Sequence, residues 1–130
     1  MIFFLIPLFN EAPNIRELSA RLSSLRVDDE YHVVLVNDCS TDDTVKMIEK
    51  YFQHLKHSLL TNPQNSGPGF SFNKGFEFIL SASQNETDLV VTMEGDNTSD
   101  FTIFPQMYAL AHQWNYDLVL SSVLCPGRWI

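Results

Sequence analysis

Residues Asp88 to Asp100 read DLVVTMEGDNTSD, a run of β-forming side chains that breaks off into two carboxylates with a glycine between them. Leu89, Val90, Val91, Thr92 and Met93 show little alternation of apolar and polar types, so the run is expected to form a central parallel strand with helices over both faces. Glu94, Gly95 and Asp96 then stand at the carboxyl end of that strand. Gly95 is expected to open backbone conformations closed to other residues, which lets both acids turn toward one ligand. Two hard oxygen donors at such a point suit Mg²⁺ or Mn²⁺ shared with phosphate oxygens and water. The alternative is an acidic turn facing solvent.

Working outward, the chain alternates strand and helix. Ile2 to Ile6 reads as a buried first strand, and the loop Pro7-Leu8-Phe9-Asn10-Glu11-Ala12 carries the first polar groups. Pro13 fits the first turn of a helix that runs to about Leu25, with Ile15, Leu18, Leu22 and Leu25 on one face. Tyr31 to Val36 is the second strand. It ends in NDCSTDD, where Ser40 and Asp43 have capping-box spacing ahead of a helix that buries Val45, Ile48, Phe52 and Leu55. His57 to Leu60 is a short third strand. The loop Asn62 to Gly69 precedes a helix through Phe72, Phe76 and Ile79. After the Asp88–Asp100 stretch, Ser99 or Asp100 is placed to cap a helix whose Ile103, Met107 and Leu110 face inward. Asp117 to Ser121 reads as a fifth strand.

Such alternation implies an α/β fold, a doubly wound, mostly parallel sheet with helices on both faces. Ligands in that architecture bind beyond the carboxyl ends of the strands, where the winding reverses. With the fourth strand beside the first, Glu11, Asp38, Glu94 and Asp96 reach one cleft from three strand ends. That concentration of carboxylates is unfavourable without a cation. None of His32, His54, His57 and His112 falls at a strand end in the cleft. Gly67 and Gly69 lack the third glycine of a dinucleotide fingerprint, and Lys74 is followed by Gly75 and not by the Ser or Thr of a P-loop. These glycines are read as shaping a tight turn.

Composition bounds the rest. A chain of 130 residues is one domain at most, and a hydrophobic fraction of 45% with ten Phe is that of a folded chain. The formal charge of −8 argues against nucleic acid or an anionic membrane surface as the main partner. Cys39 and Cys125 make neither a disulfide framework nor a zinc spacing, which favours a reducing compartment. The apolar opening MIFFLIPLF is too short for a transmembrane helix and has no basic leader.

Four segments, IPLFNEAPNI, VVLVNDCSTDDT, NSGPGFSFNKGF and VVTMEGDNTSD, stand in an order that resembles the N-terminal half of a family 2 glycosyltransferase, near the polyprenyl- and dolichol-phosphate sugar transferases. The resemblance implies the A-type, nucleotide-sugar-binding fold over residues 1–122. Residues 123–130 would lead into an acceptor-binding half beyond the chain. It implies that Pro7, Asn10 and Glu11 contact the nucleoside, Asp38 the base or ribose, and that Gly69, Asn73 and Gly75 lie beside the nucleotide. Glu94 and Asp96 would hold Mg²⁺ or Mn²⁺ against the diphosphate of a UDP- or GDP-sugar. The implied reaction is inverting transfer to a polyprenyl phosphate or a glycan, at the cytoplasm or the cytoplasmic face of a membrane. No residue is singled out as a catalytic base. Two departures stand out: Asn37 where many members carry an aspartate, and Glu94 in place of the first aspartate of the metal motif. A nucleotidyltransferase would show a glycine-rich basic loop after the first strand, and Pro7 to Pro13 has neither Gly, Lys nor Arg. A non-catalytic nucleotide-binding module stays open as the second reading. Apolar Val123, Leu124, Trp129 and Ile130 carry an expectation of self-association, and Arg128 is read as a tail residue, with a phosphate ligand as the alternative.

Overall fold

The structure is a computed structural model that describes residues 1–122, so the expectations for Val123, Leu124, Cys125, Arg128, Trp129 and Ile130 lie outside it. Two units make up the chain, the first spanning Met1–Ser99 and the second beginning at Asp100.

The first unit is a parallel sheet with strands β1 (Ile2–Leu8), β2 (Tyr31–Asn37), β3 (His57–Thr61) and β4 (Leu89–Thr92) in the order β3-β2-β1-β4. Ile2 pairs with both Tyr31 and Leu89, and Leu5 with both Val34 and Thr92, which fixes the register of β1 against its two neighbours. Three helices connect the strands: α1 (Ile15–Ser23), α2 (Thr44–Tyr51) and α3 (Pro68–Ala82). Because parallel crossovers are right-handed, the reversal of direction between β3 and β4 puts α3 on the opposite face from α1 and α2. Along β1, Phe3 and Leu5 pack with Val34, Val36 and Ile79 of α3. Ile2, Phe4, Ile6 and Leu8 point the other way by strand alternation, the side of the fully buried Ile15, Leu18 and Leu22 of α1. α1 and α2 are tied together where Ser19 Oγ donates to the carbonyl of Tyr51 at 2.6 Å.

Several expectations need correction. β4 is not central: it stands at the edge of the described sheet, and Val90 is 39% exposed. The strands buried on both faces are β1 and β2, whose cores are uniformly apolar. Gly95 has no left-handed backbone; the positive φ in this loop belongs to Asn97, at 64°. What Gly95 supplies is space, since a Cβ there would lie 2.2 Å from Leu8 Cδ2. Of the paired glycines at the start of α3, Gly67 alone has positive φ, at 86°. Nor does the capping box form: Asp42, not Ser40, accepts from the backbone N–H of Thr44, at 3.0 Å. The first helical segment opens as a 3₁₀ turn over Ala12–Asn14 before α1.

In the second unit, Asp100 Oδ1 accepts from Thr102 N at 2.9 Å and starts a 3₁₀ turn, Phe101–Ile103, that runs into α4 (Phe104–Gln113). The buried residue of α4 is Phe104, while Ile103, Met107 and Leu110 are only partly covered. Residues 117–121 form no strand, because they have no ladder partner among the described residues; Leu118 and Leu120 are exposed.

Gly75 and Gly69 offer a paired test of helix packing. A Cβ at Gly75 would fall 2.1 Å from Cδ1 of the fully buried Leu5, whereas one at Gly69 would meet nothing within 4 Å. Overpacking costs about 1–3 kcal/mol, and alanine favours a helix over glycine by about 1 kcal/mol. Urea denaturation is therefore expected to show Gly75→Ala destabilised and Gly69→Ala neutral or stabilised. Equal effects at both positions would refute the close approach of α3 to β1.

Candidate functional site

A cleft of about 370 Å³ opens beyond the carboxyl ends of β1, β2 and β4. Pro7, Glu11, Asp38, Glu94 and Asp96 all line it, with Phe9 and Phe72 as apolar walls. No Lys, Arg or His is among the described residues that line it. Asn10, Gly69 and Asn73 are not part of the lining. Asn10 has a backbone φ of 52°, and its side-chain oxygen accepts from Thr41 N at 2.8 Å and Asp42 N at 3.3 Å. It thereby stitches the loop after β1 to the loop after β2. Asp42 Oδ2 adds a bond from Ala12 N, and Thr44 Oγ1 accepts from Glu11 N at 2.9 Å, so the backbone that presents Glu11 is fixed from α2. Gly69 is exposed in the first turn of α3, and Asn73 donates to Glu77 Oε1 on the same helix. Gly75 is buried against Leu5.

Asp38 is 4% exposed, and both of its oxygens are engaged by this chain. Oδ1 accepts from Asn62 Nδ2 and from Ser66 N, and Oδ2 from Gly67 N, each at 2.8 Å. Burial works against the charged form, but the bonds from Asn62, Ser66 and Gly67 outweigh it and hold the carboxyl below the ordinary carboxylate range. The carboxylate thus clamps the loop between β3 and α3, which forms one wall of the cleft. Asn62 completes the clamp by donating to Ser71 Oγ at 2.9 Å. Its own oxygen is buried with no partner among the described residues, and the acceptor-only carboxylate of Asp38 rules out the flipped amide. The sequence reading passed over Asn62 and Ser71. Asn62 directly follows β3, so the strand-end argument that selected Asp38 and Glu94 selects it as well.

At the acidic pair, Asp96 Oδ1 accepts from Thr98 Oγ1 at 2.6 Å and Thr98 N at 3.0 Å. These bonds lower its pKa against a smaller opposing effect of burial, so the group is ionised throughout the neutral range. Oδ2 accepts no hydrogen bond from the described residues. Glu94 is exposed and also makes none. Glu11 Oε2 takes one bond, from Asn14 Nδ2 at 2.6 Å. None of these four carboxylates is in a salt bridge among the described residues; the two bridges there involve Asp88 and Asp43. Nor do three or more His, Cys, Asp or Glu side chains among those residues converge as a metal cage. The donor set fits a hard divalent cation that draws its remaining ligands from a phosphate group and water.

Residues 3–127 match the family described as Glycosyl transferase family 2. An uncharacterized protein of Methanocaldococcus jannaschii is 32% identical over 119 residues, which cover 90% of this chain and 49% of that protein. The undecaprenyl-phosphate 4-deoxy-4-formamido-L-arabinose transferase of Proteus mirabilis is 29% identical over 120 residues, covering 88% of this chain and 34% of the relative. The crystal structure of Staphylococcus aureus TarS 1-349 in complex with UDP-GlcNAc aligns with a TM-score of 0.69 at 27% identity, over 86% of this chain and 31% of that one. The chain spans about half or less of the length of these proteins.

The clamp makes a stability prediction with a definite pH sign. Asp38→Ala strips Ser66 N and Gly67 N of a charged acceptor and is expected to cost about 2–3 kcal/mol. Asp88, held to about 2 by the Ser83 hydroxyl and the N-terminal amine against the effect of burial, contributes in the same direction. A carboxyl depressed on folding stabilises the fold above its unfolded value, about 4, and loses that contribution as pH falls through its folded value. Wild-type stability is therefore expected to fall between about pH 4 and pH 2, less steeply in Asp38→Ala. Denaturant titrations across that window check it; parallel curves would contradict the clamp.

Proposed function

Because the chain belongs to glycosyl transferase family 2, we propose that its cleft binds the nucleotide-sugar donor of an inverting transferase, and that Glu94 and Asp96 would hold the Mg²⁺ or Mn²⁺ that accompanies the donor diphosphate. One observation supports the reading most: four carboxylates line the cleft, and among the described residues no basic side chain lines it with them. A diphosphate brought into such a field is repelled unless a cation stands between. The bound cation would take up the charge that develops on the leaving diphosphate.

The chain's own residues divide the remaining work. Thr98 fixes Asp96 Oδ1 and favours its ionised form, and Glu94 has one more methylene of reach than the aspartate common in the family. Phe9, 44% exposed, and Phe72 offer apolar surface to the nucleoside, with Pro7 and Glu11 beside them. Asp38 serves the nucleoside pocket by fixing the Ser66–Gly67 backbone. In the reaction, an acceptor oxygen attacks the anomeric carbon from the side opposite the diphosphate. The bond from that carbon to the diphosphate oxygen breaks, the nucleoside diphosphate leaves with the electron pair, and the configuration inverts.

Two similar proteins support the donor and acceptor classes. TarS was crystallised with UDP-GlcNAc, and the Proteus mirabilis relative is named for undecaprenyl phosphate. On this reading the acceptor is a lipid-linked phosphate at the cytoplasmic face of a membrane. Among the described residues no helix is long and apolar enough to cross one. Binding is proposed for these 130 residues; transfer is proposed for a protein of the length of the relatives.

Calorimetry with UDP and with GDP, in MnCl₂ or in chelator, tests the binding step. Binding of at least one of the two is expected with metal and not in chelator. Ligand at about a hundred times its Kd should then raise stability by roughly 2.7 kcal/mol. Asp96→Asn is expected to lose most of that gain. Equal affinity in chelator would refute the role of the cation.

A further inference from the structure

The loop that carries the acidic pair is held from outside the sheet. Arg21, in the last turn of α1, donates from Nη1 to the carbonyl oxygen of Asn97 at 2.8 Å and from Nη2 to the carbonyl oxygen of Ser99. Its Nη1 also lies 3.5 Å from Asn97 Oδ1. Asn97, at positive φ, donates from Nδ2 to the carbonyl oxygen of Asn14 at 3.0 Å. Asn14 in turn donates to Glu11 in the cleft. A hydrogen-bonded path therefore runs from Glu11 through Asn14 and Asn97 to Arg21, and Asp96 immediately precedes Asn97 in the chain.

Two carbonyls two residues apart, met by one guanidinium, are a fork that the single ammonium of lysine does not reproduce. The need for such a fork follows from charge. Glu94 and Asp96 share a cleft with Asp38 and Glu11, and without a cation their mutual repulsion pushes the loop that carries them away from the cleft. Arg21 is not among the cleft-lining residues. It grips backbone carbonyls of the loop and leaves the Asp96 Oδ2 and Glu94 carboxylate oxygens open to a ligand.

We propose that Arg21, with Asn97 and Asn14, is the positioning unit of the acidic loop, setting the affinity for a cation-bound nucleoside diphosphate without touching cation or nucleotide. The affinity part rests on the function proposed above; the loop-holding part does not.

Three variants test it. Arg21→Met keeps the apolar stem and removes the donors, Arg21→Lys keeps the charge and removes the fork, and Asn97→Gly keeps access to positive φ while losing the bond to Asn14. The readouts are amide hydrogen exchange of residues 94–99 in the ligand-free chain, calorimetric affinity for UDP with MnCl₂, and urea stability. In both Arg21 variants exchange over 94–99 is expected to quicken by about tenfold. Their affinity should fall by about 10- to 100-fold, the range carried by groups that orient metal ligands. Asn97→Gly is expected to move both readouts the same way by less, and it carries the test should Arg21→Met fail to fold. Unchanged exchange and affinity in Arg21→Met, or full recovery in Arg21→Lys, would overturn the proposal. If the wild-type chain does not bind Mn²⁺ with UDP, the reading of the cleft fails, and exchange alone still decides whether Arg21 holds the loop.

Discussion

β1 is hydrogen-bonded in parallel on both sides, to β2 over its full length and to β4 over Ile2–Leu5, and the rest of the structure depends on that arrangement. A strand flanked this way must be apolar on both faces, and Ile2 to Ile6 is. Parallel pairing also brings the carboxyl ends of all three strands to one edge of the sheet. Because the winding reverses between β1 and β4, the helices part there and leave a crevice that no side chain of the core fills. The cleft is a consequence of topology before it is a consequence of any residue in it.

What occupies that edge would be unstable if its charges faced only one another. Among the described residues these charges meet hydrogen-bond donors of the chain and no basic partner. Asp38 is surrounded by donors from the loop before α3, Asp42 by Thr44 and Ala12, and Asp96 by Thr98. In each case donors of the chain favour the ionised form, and for Asp38 and Asp42 they do so against the larger single effect of burial. Glu94, one oxygen of Asp96 and one oxygen of Glu11 are the exceptions, with no donor of the described residues spent on them. In a cleft otherwise so fully bonded, the unspent oxygens mark where an external cation has most to gain.

Much of this was legible in the sequence because strand ends are legible. An apolar run that stops at a polar residue places that residue at a known level of the sheet, which is why Glu11, Asp38, Glu94 and Asp96 could be assigned to one rim before any coordinates. Where the outcome turned on contacts between distant segments, the sequence misled. Gly95 invites an argument from backbone freedom, but its role is set by Leu8, far away in the chain, and the left-handed turn falls to Asn97. Ser40 and Asp43 have the spacing of a capping box, yet the Ser40 hydroxyl accepts from Asn10 N across to the loop after β1, and Asp42 accepts from Thr44 N in its place. The uniform apolar run of β4 suggested a central strand, and residues 117–121 suggested a fifth; sheet position and pairing depend on neighbours that periodicity does not reveal. Arg21 is the extreme case, an ordinary helix residue by pattern whose partners lie more than seventy positions on.

The most direct measurement is an anomalous difference map at the manganese edge from crystals of the chain grown with MnCl₂ and UDP. One peak is expected between the Glu94–Asp96 carboxylates and the diphosphate, with the nucleoside toward Phe9 and Asp38. Nucleotide seated in the cleft with no peak beside Asp96, or manganese bound at another part of the surface, would contradict it.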